Sequence, residues 1–184
     1  MMISKKAQEI PPFIVMDVLE KAQELERMGE HVIHLEVGEP DFDTPQCINE
    51  ACYRAIREGK THYTHSLGLA ELREAISENY WQHYRVRVHP EQILVTSGTS
   101  PAMLLLFSAL LEPGDEIILS NPCYPCYPNI IRFADGSPAF IEVKEEEGFQ
   151  YLPETIGEKL HQKVKGVLIN SPSNPTGNVM AVER

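Results

Sequence analysis

The stretch Ile93-Leu94-Val95-Thr96-Ser97-Gly98-Thr99-Ser100-Pro101-Ala102 decides the fold. A short apolar run ends in a turn of small residues, and an apolar helical run continues through Leu111. This is the pattern of a strand that stops where a helix starts. Downstream the pattern repeats. Glu112-Pro113-Gly114-Asp115 makes a turn, Ile117-Ile118-Leu119 a strand, and residues 129–134 a helix. Phe140-Ile141-Glu142-Val143 is a third strand, residues 154–163 a helix, and Val167-Leu168-Ile169-Asn170 a fourth strand. Short apolar strands alternating with helices predict a doubly wound α/β layer with buried, mainly parallel strands. The acidic run Glu145-Glu146-Glu147 reads as a solvated turn.

Upstream, residues 11–28 read as an amphipathic helix with Pro11 and Pro12 in its first turn and Gly29 as its stop. Val15, Val18, Leu19, Ala22 and Leu25 share one face. Ile33, Leu35 and Val37 alternate like a half-buried strand. Gly38-Glu39-Pro40-Asp41-Phe42-Asp43 is a loop, and Thr44 caps the next helix with Pro45 at its first position. Ile48, Ala51, Cys52, Ala55 and Ile56 form that helix's apolar stripe. A further helix spans residues 70–84, with Leu72, Ala75, Ile76 and Tyr80 facing inward. No internal repeat or low-complexity segment is present.

The chain has 184 residues, 42% hydrophobic and 23% charged, which suits a globular domain able to bury a core. Its formal net charge of -11 argues against a nucleic-acid or anionic-membrane surface. A small anion can still be held by local backbone N–H groups. The longest apolar candidate, residues 103–111, is about half of the ~20 residues a bilayer span needs. The start, Met-Met-Ile-Ser-Lys-Lys, carries no signal-peptide apolar core, so a cytoplasmic protein is expected. Cys123-Tyr124-Pro125-Cys126 fits a C-x-x-C pattern, but no second pair completes a tetrahedral metal site. Cys47 and Cys52 point to different faces of their helix. No metal site is assigned, and the thiols read as structural or incidental.

Two motifs sit at predicted strand ends, where ligands bind in open α/β sheets. At the first, residues 96–102, a helix start offers N–H groups and a positive dipole end to a phosphate. Gly98 lets the backbone approach, and Ser97, Thr99 and Ser100 add hydroxyls. Plain capping by Thr99 or Ser100, with Pro101 at the first helical position, explains the same residues. At the second, Asn170-Ser171-Pro172-Ser173-Asn174-Pro175-Thr176-Gly177, two prolines stiffen the backbone that carries the Asn174 amide. An Asn-Pro-Thr-Gly turn is the alternative. The segment 122–128, Pro-Cys-Tyr-Pro-Cys-Tyr-Pro, offers an aromatic to a planar cofactor or is a Pro/Tyr-rich surface loop.

The order of the motifs resembles the class I/II aminotransferases, fold-type-I pyridoxal-phosphate enzymes. Residues 37–45, Val-Gly-Glu-Pro-Asp-Phe-Asp-Thr-Pro, resemble that family's N-terminal signature. Gly59-Lys60-Thr61-His62-Tyr63 through Gly68 and Glu71-Leu72-Arg73-Glu74-Ala75-Ile76 resemble its next block. Ser97-Gly98-Thr99, Pro113-Gly114-Asp115-Glu116, residues 122–128 and Asn174-Pro175-Thr176-Gly177 follow in family order. Each block is weak alone, but the ordered set is specific and covers nearly the whole chain.

The resemblance implies an incomplete fold-type-I large domain, a three-layer α/β structure with a mainly parallel sheet, over residues 39–184. An N-terminal arm over residues 1–38 precedes it, contributing a helix and strand of the small domain. It implies transfer of an amino group between an amino acid and a 2-oxo acid through pyridoxal 5'-phosphate. Gly98, Thr99 and Ser100 match the phosphate loop, and Tyr124 the aromatic that stacks on the pyridine ring. Asn174 matches the amide that bonds the ring hydroxyl and helps hold the substrate carboxylate. Gly38 matches a backbone contact to that carboxylate. Tyr63 matches a tyrosine reaching the neighbouring subunit's phosphate, which implies a homodimer in the complete enzyme. Ser100 stands where some aspartate-using relatives carry a lysine, which disfavours that mode of distal-carboxylate recognition.

The family's Schiff-base lysine lies well beyond the Asn-Pro-Thr-Gly motif, and only seven residues follow Gly177 here. No lysine of this chain matches that motif, so no catalytic residue is assigned. The 184 residues alone are expected to be inactive, unstable and weak in cofactor binding. The strand at Ile93–Thr96 is expected to lack its neighbour, while the other three lie side by side. A β-lyase or synthase of the same fold, or a catalytically dead aminotransferase-like binding domain, would share these motifs. The sequence argues against a dinucleotide oxidoreductase, because no two glycines are even two positions apart.

Overall fold

The computed structural model describes residues 3–181. The chain divides into two compact units, one formed by Met1–Asp17 with Gly98–Arg184 and the other by Val18–Ser97.

The first unit is built on three parallel strands, β1 (Glu116–Asn121), β2 (Ser137–Glu142) and β3 (Val164–Val167), in the order β2-β1-β3. Helix α5 (Thr99–Leu110) leads into β1, α6 (Cys126–Phe133) connects β1 to β2, and α7 (Pro153–Lys159) connects β2 to β3. Alternation along β1 gives the sheet two buried faces. Ile117 and Leu119 pack with Phe107 and Leu111 from the α5 side and Tyr127 and Ile131 from α6. Ile118 packs on the other side with Ile141, Val143 and Tyr151, and α7 adds Ile156. Helix, sheet and helix are thus three layers, the α/β architecture expected. Ile118, Leu119 and Ile131 are the largest side chains excluded from solvent.

Details differ from the sequence expectation for local reasons. The last strand lies at Val164–Val167, not 167–170. Pairing with β1 shifts register at Glu116/Ile117, which places Lys165 in a bulge. The last link to β1 is the Leu168 N–H donating to Ile118 O at 2.9 Å, before the proline-rich loop departs. Helix α6 starts three residues before the expected 129, and α7 ends at Lys159 rather than 163. Pro138 is the second residue of β2, which is an edge strand and tolerates a residue without N–H. The acidic run forms a 3-10 turn, Glu145–Glu147. A short helix, α1 (Lys5–Glu9), precedes the proline pair and was not expected. Helix α2 (Ile14–Arg27) begins after Pro11 and Pro12, because a residue before proline is driven out of the helical region. Only Ala22 of its apolar face is buried.

In the second unit, α3 (Gln46–Arg57) and α4 (Ala70–Tyr84) keep the expected bounds at their centres. Pro45, not Thr44, is the N-cap of α3, and no side chain bonds there. The expected inner faces are not covered. No residue of α3 is buried, and Leu72, Ala75 and Tyr80 of α4 are exposed, with Ile76 only half-buried. Arg73 is the buried residue of α4. Its Nε donates to Gly68 O at 3.3 Å and its Nη1 to Pro90 O at 3.0 Å, satisfying two loop carbonyls.

Two expected strands are absent among the described residues. Ile33–Val37 forms none, and Ile33 and Leu35 face solvent. Ile93–Thr96 is not a strand either, although Ile93 is extended. Both have strand sequence but no strand to pair with, and a ladder needs a partner. The Ile93–Thr96 segment is held instead by the Val95 N–H donating to Leu67 O at 3.0 Å.

Candidate functional site

Helix α5 starts on Gly98, whose φ of 103° and ψ of 178° form its N-cap without a side-chain bond. This backbone is nearly exclusive to glycine. Thr99 and Ser100 are therefore the first two helical residues and Pro101 the third, so side-chain capping with Pro101 at the first position is not what the structure shows. A helix's first-turn N–H groups have no intrahelical acceptor. Thr99 and Ser100 present theirs with exposed hydroxyls at the positive end of the dipole. A Cβ built on Gly98 would meet nothing within 4 Å.

Tyr124 and Asn174 belong to the same unit. Tyr124 lies just past the carboxyl end of β1, and Asn174 past that of the adjacent parallel strand β3. Met103 of α5, Tyr124, and Leu168 after β3 all pack on the same core cluster.

Tyr124 is half-buried, and two rings stand nearly perpendicular to it. Phe13 stands edge-on at 6.3 Å and 78°, and Tyr127 at 5.3 Å and 76°. A hydrogen bond with the Cys126 side chain, reinforced by burial, pushes the Tyr124 hydroxyl above the usual phenol range. The ring therefore stays neutral at physiological pH. Burial also pushes the Cys123 thiol up.

The Asn174 loop is internally braced. With its amide turned to satisfy both atoms, Asn170 donates to Pro172 O at 3.1 Å and accepts the Asn174 N–H at 2.9 Å. The Gly177 N–H donates to Ser173 O at 2.7 Å, the Ser173 N–H to Asn178 O at 2.9 Å, and the Met180 N–H to Ser171 Oγ at 2.9 Å. Asn174 remains exposed, and Thr176 Oγ1 is buried with no hydrogen-bond partner among the described residues.

Gly38 and Tyr63 belong to the second unit. Gly38 follows a bend at residues 36–37 and is exposed, with no atom within 4 Å of a Cβ built on it. Tyr63 is fully exposed. The sequence reading missed Phe13, Tyr127 and Asn170. The available signals were an aromatic directly after a proline pair, a second aromatic three residues after Tyr124, and an asparagine four residues before Asn174.

Residues 30–184 match the profile of the family described as Aminotransferase class I and II. The chain belongs to that family. It is 45% identical over 179 residues to a (5-formylfuran-3-yl)methyl phosphate transaminase of Methanocaldococcus jannaschii, covering 97% of this chain and 46% of that protein. It is 41% identical over 181 residues to an aspartate/prephenate aminotransferase of Thermus thermophilus, covering 98% of this chain and 47% of that one. The structure of Thermus thermophilus aspartate aminotransferase with maleate superposes with a TM-score of 0.95 at 40% identity, over 100% of this chain and 48% of that one. The chain thus spans just under half the length of these aminotransferases. Among the described residues, no helix is long and apolar enough to cross a membrane.

Proposed function

We propose that this chain is the N-terminal portion of an aminotransferase that moves an amino group between an amino acid and a 2-oxo acid, with pyridoxal phosphate as cofactor. The observation that carries the reading is the glycine-capped start of α5, in the same unit as Tyr124 after β1 and Asn174 after β3. The donor set fits the cofactor. Two helix N–H groups and two hydroxyls suit a phosphate, a neutral aromatic face suits a pyridine ring, and an exposed, braced amide suits a ring hydroxyl or carboxylate.

In this reading Gly98, Thr99 and Ser100 hold the phosphate and Tyr124 lies on the ring. Asn174 bonds the ring hydroxyl and the substrate carboxylate, which Gly38 also meets through its backbone. Tyr63 reaches the phosphate of a second subunit, making the complete enzyme a homodimer. Residues 1–38 form the arm and small-domain segment, and 39–184 the partial cofactor-binding domain. The cytoplasm is the compartment that fits the sequence. When bound, pyridoxal phosphate supplies the electron sink for amino-group transfer. This chain's residues fix its position and exclude water from one face, and none of its lysines is assigned the proton transfer.

The test is to purify the native gene product, titrate it with pyridoxal phosphate, and supply an amino acid with a 2-oxo acid acceptor. A new amino acid and a new 2-oxo acid in equal amounts are expected. Release of ammonia without an acceptor would point to a lyase, and absence of cofactor binding would refute the reading.

A further inference from the structure

We infer that Phe13 is a positioning residue for Tyr124, locking that ring at the angle from which it stacks on the cofactor. The inference rests on the proposed role of Tyr124. It goes beyond that role by assigning a function to the N-terminal strap.

The strap is held along α6 at both ends. At its near end Lys6 Nζ meets Asp135 Oδ1 at 2.8 Å, donates to Phe133 O at 2.9 Å, and lies 5.6 Å from the Phe133 ring centre. These contacts sit at the C-terminus of α6, where a cation is favoured by the helix dipole. At its far end, past the stiff Pro11-Pro12 pair, Phe13 meets Tyr124 at the start of α6. Two prolines between a charged anchor and an aromatic leave the Phe13 backbone little freedom.

Phe13 and Tyr127 both meet Tyr124 near 80°. Edge-to-face geometry is favoured because the positive ring edge meets the negative face. Tyr127 is buried and cannot turn away, whereas Phe13 is only half-buried and comes from a separate segment. With Tyr127 alone, Tyr124 has one ring to define its tilt. With both, two perpendicular rings define the tilt of Tyr124. A stacking residue must keep its plane parallel to the pyridine ring, so loss of Phe13 costs cofactor order before it costs folding.

Three variants of the native gene product decide this: Phe13→Ala, Phe13→Leu and Phe13→Tyr. The readouts are the Kd for pyridoxal phosphate, the visible circular dichroism of the bound cofactor, and thermal melting. Phe13→Ala and Phe13→Leu are expected to raise Kd about 2- to 12-fold, the range set by one edge-to-face pair. They are also expected to weaken the dichroism, and Phe13→Tyr to restore both. Phe13→Leu keeps the apolar volume, so it remains informative if the alanine variant fails to fold. Equal Kd and dichroism for Phe13→Leu and wild type would overturn the inference and leave the proposed function standing. A wild type that does not bind the cofactor would overturn both.

Discussion

Replacing Gly98 with alanine tests the start of α5 directly. At φ 103° and ψ 178° a Cβ is strained whatever space surrounds it, at a cost of about 1–3 kcal/mol. Crowding adds nothing, since no atom lies within 4 Å of the added carbon. Alanine also stiffens the unfolded chain, which offsets about 0.4–1 kcal/mol. Gly38→Ala supplies the control. Its site is equally open, and its φ lies outside the left-handed region, so only the unfolded-state effect remains. The difference between the two variants isolates the backbone strain. Urea unfolding followed by far-UV dichroism measures it. With a slope of about 2 kcal/mol/M, a difference of about 2 kcal/mol separates the midpoints by about 1 M. Gly98→Ala should also lose phosphate-group affinity, because relieving the strain turns the Thr99 and Ser100 N–H groups away. Coincident urea midpoints for the two variants would refute the account of the cap.

Other consequences can be checked in the same way. Ile118→Ala removes a fully buried side chain from the central strand and should cost about 2–5 kcal/mol in denaturant unfolding. Gly68→Ala would drive a Cβ to 2.7 Å from Val95 Cβ at a φ of 97°, so it should destabilise by about 1–3 kcal/mol and expose the 93–96 segment to hydrogen exchange. His34 bonds Glu36 at 2.6 Å and Glu26 at 3.0 Å through its two ring nitrogens, which favours the imidazolium. Those bonds, Glu36 first, raise its pKa above 6.5, and the His34 bond lowers that of Glu36 below 4.5. The His34 contribution is complete below pH 6.5 and is lost as pH rises through the raised value. The Glu36 contribution is complete above pH 4.5 and is lost as pH falls through the lowered one. An NMR titration should show His34 titrating above free histidine, and Glu36→Gln should bring it back toward the free value.

Much of this protein was legible without coordinates. The positions of α5, β1 and α4 and the loop after Asn170 follow from local rules, namely apolar period, proline geometry and glycine turns. Such rules act within a few residues, so sequence alone suffices for them. The ordered motifs likewise carried the family. Tertiary structure decided the rest, because pairing and burial depend on partners distant in sequence. Ile93–Thr96 and Ile33–Val37 have strand composition, yet neither is a strand, since among the described residues no strand pairs with them. The stripe of α3 is apolar but exposed, while the charged Arg73 is buried because two loop carbonyls converge on it. Phe13 and Tyr124 are more than a hundred residues apart. Only folding of the N-terminal strap along α6 brings their rings together.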